Sequence, residues 1–293
     1  MTFQSITGSG TSAEIAPEVI GYTLVDADGD SSQATLSLNA ISDHFAGNSA
    51  GNTINGASTN DMISGLAGND TLNGGAGHDV IYGGDGNDII NGDAGDDRLS
   101  GNAGDDTISG GTGNDRIYGD EGNDSLTGGD GNDLIYGGAG NDTIQGGIGA
   151  DIIYGAAGND TLAGGDTGLV DVFKWELGDQ GSKGAPASDV IQDWDNADAN
   201  VLTSVGGDVL DLRDLLQGEH SPGNLDDFLH FELSGGNTIV HISATGEFAT
   251  GYNPAKEVQA ITLLNTDLFG AGTLNTDQQI IQDMLIKGKL ITD

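Results

Sequence analysis

The sequence predicts an all-β protein whose central part is a parallel β-solenoid, and three observations lead to this fold class. Residues 47–163 divide into thirteen consecutive nonapeptides without an insertion, and such self-similarity is typical of a repeat architecture. Position 8 of every nonapeptide is Ile or Leu, from Ile54 to Leu162. Most other positions are Gly, Asn or Asp, which tolerate the backbone angles of tight turns.

Each nonapeptide is expected to form one turn and one short strand. The first six residues form the turn, and the last three form a strand whose middle side chain, the Ile or Leu, points inward. Two nonapeptides make one coil, so the repeats give about six coils stacked about 4.8 Å apart. The inward Ile and Leu side chains are the only core of this segment, and that core is thin.

Net charge and composition exclude several classes of function. The 293 residues include 46 Asp and Glu against 8 Lys and Arg, a net charge of −38, so the chain repels nucleic acid and anionic lipid. It has no Cys, which excludes disulfides and thiolate metal sites. No apolar stretch reaches the roughly 18 residues of a membrane span, and we expect no cleaved signal peptide. Such an acidic chain, with 35% hydrophobic residues, is typical of disorder unless something neutralises it.

Aspartate recurs at position 6 of the nonapeptides. Residues eighteen apart stack on successive coils, so these aspartates form two columns, one along each edge of the solenoid. The first column contains Asp70, Asp88, Asp106, Asp124, Asp142 and Asp160. The second column contains Asp61, Asp79, Asp97, Asp115, Asp133 and Asp151. Position 6 of the first nonapeptide is Asn52.

Stacked carboxylates repel one another unless cations lie between them. Oxygen ligands without His or Cys favour Ca²⁺ over Zn²⁺ or Mg²⁺. One ion between each adjacent pair predicts about five ions per column and about ten in all. The repeats carry 19 acidic residues and two arginines, a charge of −17, which about ten Ca²⁺ would nearly balance.

Backbone carbonyls of the turns are expected to complete the ligand sets. Glycine lets the backbone approach an ion closely. The predicted carbonyl ligands are those of Gly75, Gly77, Gly84, Gly86, Gly129, Gly131, Gly138 and Gly140. A disordered Gly- and Asp-rich tract is the alternative, but disorder does not require Ile or Leu at every ninth position. A metal-free solenoid is disfavoured, because nothing else offsets the aspartate columns.

The repeat consensus, seen in residues 74–82 and 83–91, resembles the calcium-binding nonapeptide of RTX proteins, Gly-Gly-x-Gly-x-Asp-x-U-x. The resemblance implies a right-handed parallel β-roll over residues 47–163. It also implies that Ca²⁺ is the bound ion and that the position-6 aspartates are its ligands.

Two outer columns have regular chemistry. One is expected to stack along the roll, with a ligand-binding strip as the alternative, and consists of Tyr82, Ser100, Tyr118, Tyr136 and Tyr154. The other consists of Thr71, Ile89, Thr107, Ser125, Thr143 and Thr161. Regular Thr arrays suggest ice binding, but Ile89 interrupts this one and only Thr112 gives a Thr-Gly-Asn turn, so we disfavour that function.

No catalytic residues are expected in this chain. Residues 47–51 match the G-x-S-x-G nucleophile elbow, but they lie in register within the first repeat, and too little chain precedes them to build a hydrolase sheet. The five histidines are scattered, and no zinc-protease, Walker or Rossmann motif occurs. His78 occupies a variable turn position and is expected to face solvent.

Residues 1–46 form an N-terminal flank. Residues 22–25 and 34–38 alternate like strands. The acidic turn at residues 26–30 between them is either a Ca²⁺ site or a solvated turn. Residues 22–30 resemble the closing strands of immunoglobulin-like extender modules in giant bacterial adhesins, which implies upstream adhesin domains. Residues 1–46 are therefore either the end of such an extender or an N-terminal cap of the solenoid.

Residues 164–293 are predicted to form a β-rich domain that caps the solenoid. Strands are expected at residues 170–173, 189–192, 238–242 and 258–264, and a helix at residues 276–286. Thr276 is its predicted N-cap, and Gly288 follows its end. One or two further ions are an alternative to ordinary strand-end positions for Asp171, Asp189, Asp193, Asp208 and Asp211.

Three phrases, at residues 189–194, 207–216 and 279–285, resemble the C-terminal block of large adhesins secreted by the type I route. The resemblance implies an uncleaved C-terminal signal read by an exporter made of an ABC transporter, a membrane fusion protein and an outer-membrane channel. We therefore expect a monomeric module, secreted to the bacterial cell surface, that is unfolded in the cytosol and folded by extracellular Ca²⁺. The alternatives are a glycan-binding module of the adhesin and the RTX tail of a secreted hydrolase.

Overall fold

The computed structural model describes residues 19–25, 31–37, 44–165, 169–194, 207–216, 222–269, 274 and 276–292. Within these ranges no helix is long and apolar enough to cross a membrane. The acidic turn at residues 26–30 lies outside the described residues, so its two interpretations stay open. In the flank, strands β1 (Val19–Val25) and β2 (Ser31–Ser37) form an antiparallel pair.

Fourteen strands follow, two to a coil. They are β3 His44–Asn48, β4 Thr53–Asn55, β5 Met62–Ala67, β6 Thr71–Ala76, β7 Val80–Asp85, β8 Ile89–Ala94, β9 Arg98–Ala103, β10 Thr107–Thr112, β11 Arg116–Glu121, β12 Ser125–Asp130, β13 Leu134–Ala139, β14 Thr143–Ile148, β15 Ile152–Ala157 and β16 Thr161–Gly165. Odd-numbered strands form one parallel sheet and even-numbered strands form the other. The fold is therefore the predicted parallel solenoid, with about seven coils instead of about six, because β3 begins before the first repeat.

The strands are longer than predicted from the sequence. From β5 to β15 each runs for six residues, from position 7 of one nonapeptide to position 3 of the next, as in β7. The prediction of three-residue strands was wrong because the backbone bends at position 2 without leaving the sheet. Gly84 has φ 117° at this bend and still pairs with Asn102 one coil on. Asn102 itself has φ 74°, so the bend does not depend on glycine alone.

The predicted apolar column forms the core of the solenoid. Strict register brings residues eighteen apart together, so that Ile117 lies between Leu99 and Ile135. From Ile63 to Leu162 the position-8 side chains are at most 1% exposed. The core continues into the C-terminal region through Phe173, which pairs with Ile153.

The C-terminal strands extend both solenoid sheets. They are β17 Val172–Lys174, β18 Ala187–Ile191, β19 Val209–Asp211, β20 Leu229–Ser234, β21 Asn237–Ile242, β22 Gln259–Leu263 and β23 Leu290–Ile291. β17, β19 and β23 continue one sheet, and β18 and β22 continue the other, where β21 and β20 add antiparallel strands. A 3-10 helix spans Pro222–Asp227.

The predicted C-terminal helix is present as α1 (Asp277–Ile286). Thr276 is its N-cap, and its side chain accepts a hydrogen bond from the Gln279 N–H at 3.3 Å. Gly288 follows the helix with φ 70°, as expected of a helix end. The apolar stripe faces the core, because Ile280, Ile281 and Met284 are buried.

Candidate metal centre

The structure brings the twelve predicted aspartates into two columns. Each lies at the end of a turn, one residue before a strand, and stacks on the aspartate eighteen residues away. The backbone N–H of each aspartate donates to Oδ1 of the aspartate one coil on, as Asp106 does to Asp124 at 2.8 Å. These bonds measure 2.7–2.9 Å from Asp61 through Asp142. The backbone of one coil therefore fixes the orientation of the next carboxylate.

In eleven of these twelve carboxylates the second oxygen has no hydrogen-bond partner among the described residues. All twelve side chains are at most 3% exposed. Oδ2 is buried and accepts no hydrogen bond in Asp70, Asp79, Asp88, Asp97, Asp106, Asp115, Asp124, Asp133, Asp142, Asp151 and Asp160. A buried carboxylate oxygen without a donor is strongly destabilising, so eleven in register indicate a site for cations.

Glycine at position 1 lets each carboxylate lie against the backbone. A Cβ at Gly65 or Gly74 would overlap Oδ2 of Asp70 or Asp79. Position 4 is constrained differently, because a Cβ at Gly95 would overlap the carbonyl oxygen of Gly77 on the preceding coil. Any side chain at these positions would displace the oxygen atoms of the columns.

The predicted carbonyl ligands lie in two environments. Gly77, Gly86, Gly131 and Gly140 occupy turns with φ between 130° and 139°. In those turns the backbone hydrogen bonds between coils are accepted by the carbonyls of positions 3 and 6. Gly77 N–H, for example, donates to Ala94 O at 2.8 Å. The position-4 carbonyls take no part in these bonds. Gly75, Gly84, Gly129 and Gly138 lie within strands, at the position-2 bend, and pair with the next coil. The position-4 carbonyls are therefore better placed for an ion.

Burial disfavours the charged form of the column carboxylates. Desolvation raises the pKa of Asp97 and Asp106 to about 7 and that of Asp160 to about 8, and repulsion from neighbouring carboxylates adds to the effect. Desolvation also raises the pKa to about 6 at Asp115, Asp133, Asp142 and Asp151. A divalent cation beside these groups would restore their charged form at neutral pH.

The donor set fits calcium. Within the described ranges, no three His, Asp or Glu side chains converge on one point, so a metal site here combines a few carboxylates with backbone carbonyls. Hard oxygen atoms in a flexible arrangement suit Ca²⁺, whereas Zn²⁺ favours nitrogen and sulfur ligands. When bound, Ca²⁺ would supply the positive charge that the two columns lack.

Three of the five extra C-terminal candidates continue the columns. Asp171 accepts from Asp151 N–H at 2.9 Å, and Asp208 accepts from Asp171 N–H at 3.4 Å, in the second column. Asp189 accepts from Asp160 N–H at 2.9 Å in the first.

The other two candidates lie beside the columns. Asp193 accepts from the N–H groups of Gly164 and Gly165, at 3.0 and 2.8 Å. Asp211 forms a bidentate pair with Arg213, at 2.9 and 2.7 Å. Both carboxylates therefore have protein donors.

At the N-terminal ends of the columns, backbone N–H groups reach position 6 instead. Asn48 N–H donates to Asn52 Oδ1, and Ala57 N–H donates to Asp61 Oδ2, both at 2.7 Å. These local bonds were missed from the sequence, although the first two units differ from the others at position 4, where Ala50 and Thr59 replace Gly.

The outer tyrosine column is stacked, as expected, from Tyr118 to Tyr154. The rings of Tyr118 and Tyr136 lie 5.3 Å apart, and those of Tyr136 and Tyr154 lie 4.2 Å apart. Arg98 lies over the ring of Tyr118 and Lys174 over that of Tyr154, so cations flank the stack.

The Thr column is interrupted by Ile89, whose side chain is 48% exposed. His78 is exposed as expected, and its Nδ1 accepts from Asp96 N–H at 2.8 Å.

A histidine cluster in the C-terminal region was missed from the sequence. His230 and His241 face each other across β20 and β21, with Tyr252 stacked beside them. Each Nδ1 meets a carboxylate, at 2.9 Å for Asp277 and 2.6 Å for Glu257. Scattered positions in the sequence gave no signal for this contact.

Comparisons with known proteins agree with the repeat geometry. The family model for the RTX calcium-binding nonapeptide repeat matches residues 46–81, 64–99, 82–116, 91–126, 100–135, 109–144 and 136–166. Residues 46–166 therefore carry RTX calcium-binding nonapeptide repeats. No curated protein matches the chain.

Two similar solved structures are the solution structures of the AlgE6R2 and AlgE6R3 subunits of the Azotobacter vinelandii mannuronan C5-epimerase. The first is 22% identical, with a TM-score of 0.31, and the match covers 52% of this chain and 89% of that one. The second is 19% identical, with a TM-score of 0.29, and the match covers 67% of this chain and 78% of that one.

Proposed function

We propose that this chain is the calcium-dependent folding and type I secretion module of a large bacterial cell-surface adhesin. The observation that carries the calcium-dependent part is the set of eleven buried Oδ2 atoms without a hydrogen-bond donor. A fold that buries so many unpaired carboxylate oxygens needs cations to be stable.

The energetics follow from the two columns. Burying one unpaired charge costs several kcal/mol, and the single apolar side chain per strand cannot offset eleven such groups. Without Ca²⁺ the repeats stay unfolded, and with Ca²⁺ the free energy of ion binding becomes free energy of folding. Extracellular modules bind Ca²⁺ with dissociation constants of about 10⁻⁴–10⁻³ M, so the switch is off in the cytosol and on outside the cell.

We propose a number of bound ions from the same atoms. Eleven unpaired oxygens, six in the first column and five in the second, support about ten bound Ca²⁺. Each ion would lie between successive coils and contact carboxylates and position-4 carbonyls. Zinc or magnesium would match this flexible oxygen set less well.

Secretion by the type I route is the second part of the proposal. An unfolded chain can pass through an exporter formed by an ABC transporter, a membrane fusion protein and an outer-membrane channel, with upstream adhesin domains following. Folding outside would then prevent return. The three C-terminal phrases support this role, and we propose no catalytic function for the chain.

Far-UV circular dichroism of the chain in chelator and in millimolar Ca²⁺ tests the folding proposal. We expect little ordered structure in chelator and a large gain of β signal with Ca²⁺, with Mg²⁺ at the same concentration as the control. A chain equally folded in chelator and in Ca²⁺ would contradict the proposal. Export is tested separately, by measuring whether a type I exporter releases the chain into the medium and whether truncation after residue 276 abolishes release.

A further inference from the structure

Asp189 occupies the next place in the first aspartate column, beyond the last nonapeptide. Its Oδ1 accepts from the Asp160 N–H at 2.9 Å, the same bond that links every pair of aspartates within the column. Its side chain is only 1% exposed, and burial raises its pKa to about 6. By position, burial and backbone contact, Asp189 is equivalent to the repeat aspartates.

Its other oxygen differs from theirs. Oδ2 of Asp189 accepts from Trp175 Nε1–H and from Gln259 Nε2–H, each at 2.7 Å. Oδ2 of Asp160, one coil earlier, accepts no hydrogen bond. Two N–H donors on one buried carboxylate oxygen supply part of the positive potential that the repeat aspartates lack.

The two donors are held firmly. Trp175 follows β17, donates its backbone N–H to Asp211 O at 3.2 Å, and is fully buried. Gln259 begins β22, is also fully buried, and pairs with Ala187 in β18, two residues before Asp189. Both side chains are therefore fixed by the sheets that also position the carboxylate.

We propose that Trp175 and Gln259 take the place of a calcium ion at Asp189 and so end the first column. This inference rests on the proposed calcium-dependent folding. The first column then binds ions only as far as Asp160, and its last coil is completed by protein donors. The backbone donors to Asn52 and Asp61 close the opposite ends of the two columns in a similar way.

Ion counting on the full chain tests this assignment. Calcium bound per chain is measured by elemental analysis after dialysis, for the wild type, for Asp142→Asn within the column and for Asp189→Asn at its end. We expect one or two fewer ions in Asp142→Asn and an unchanged count in Asp189→Asn. A matching loss of ions from both variants would overturn the inference, because Asp189 would then be a ligand.

A milder variant covers the case in which Asp189→Asn does not fold. Gln259→Leu removes one donor and leaves the carboxylate and Trp175 in place, so we expect an unchanged ion count. If Gln259→Leu loses an ion, the amide oxygen faces a cation instead of the amide N–H facing Asp189, and the assignment fails.

The indole signals of the wild-type protein give an independent readout. Trp175 Nε1–H donates to a carboxylate, whereas Trp194 Nε1–H is buried and has no acceptor among the described residues. In the calcium-loaded protein we expect the Trp175 indole proton downfield of that of Trp194, with Trp194→Phe used for assignment. Two indole protons at the same position would refute the hydrogen bond.

The experiments distinguish failure of calcium-dependent folding from failure of the role proposed for Trp175 and Gln259. A chain that is folded in chelator contradicts calcium-dependent folding, whatever the ion counts. A chain that folds only with Ca²⁺, but loses ions equally from Asp142→Asn and Asp189→Asn, contradicts the role of Trp175 and Gln259 alone.

Discussion

Acidification should fold the calcium-free chain. The folded-state pKa of the buried column aspartates lies above the ordinary value of 3.8, at about 6 for Asp115 and about 7 for Asp106. A group with a raised folded-state pKa stabilises the fold fully below its unfolded pKa, and this stability is lost as pH rises through the folded pKa. The metal-free roll is therefore least stable above about pH 8 and gains stability as the pH falls toward 4.

The magnitude follows from those pKa values. A pKa of about 6 in place of 3.8 corresponds to roughly 3 kcal/mol per carboxylate at pH 7, because one pKa unit is about 1.4 kcal/mol. Several such groups together exceed the 5–15 kcal/mol stability of an ordinary domain. We therefore expect the calcium-free chain to be unfolded at pH 8 and to gain β structure with a midpoint near pH 6.

The assay is far-UV circular dichroism in chelator from pH 8 to pH 4.5, at low protein concentration because the isoelectric point is about 4.1. Sedimentation velocity checks that the β signal comes from monomers and not from aggregates. In Ca²⁺ the trend reverses, because protons compete with the ion, and acid should weaken binding. No gain of β signal in chelator, or a midpoint near pH 4 as for ordinary carboxylates, would refute the reasoning.

Three further predictions use matched changes within the repeats. Asp106→Asn should reduce calcium affinity at least several-fold by titration calorimetry, whereas Asp105→Asn, on an exposed side chain next to it, should change it little. Gly113→Ala should prevent or strongly weaken folding in Ca²⁺, because φ is 132° there and a Cβ would overlap a carbonyl of the preceding coil; an unchanged melting temperature would contradict this. Ile117→Ala should cost about 2–5 kcal/mol in calcium-loaded denaturant unfolding, and Ile148→Ala, on a side chain 57% exposed, should cost much less.

Strict periodicity made the solenoid and its columns predictable. Thirteen units without an insertion leave only one register, so residues eighteen apart must stack, and the structure places Asp106 beside Asp124 accordingly. The strand length was mispredicted because Gly, Asn and Asp at positions 1–3 were assigned to a turn from their local preferences. Pairing with neighbouring coils overrides those preferences, and residues with φ above 0 remain in the sheet.

The column ends were not predictable for the same physical reason. Beyond the repeats the spacing changes: Asp171 lies twenty residues after Asp151, and Asp189 lies twenty-nine after Asp160. The donor Gln259 lies seventy residues from Asp189, so only the assembled sheets bring it to the carboxylate. Periodicity predicts the contacts between repeats. It does not predict the contacts that residues outside the repeats make with the last aspartates of each column.

The arrangement of the hydrogen bonds indicates that calcium-dependent folding should be cooperative over many coils. From Asp70 to Asp160, each column aspartate has Oδ1 fixed by the backbone of the preceding coil, while its Oδ2 needs an ion. A single coil therefore lacks both the backbone donor and the neighbouring carboxylate, and only adjacent coils complete a site. Nearest-neighbour coupling of this kind is characteristic of repeat proteins. The negative charge opposes folding of the calcium-free chain. Each ion bound between two coils holds those coils together, and the paired backbone then orients the carboxylate of the next coil.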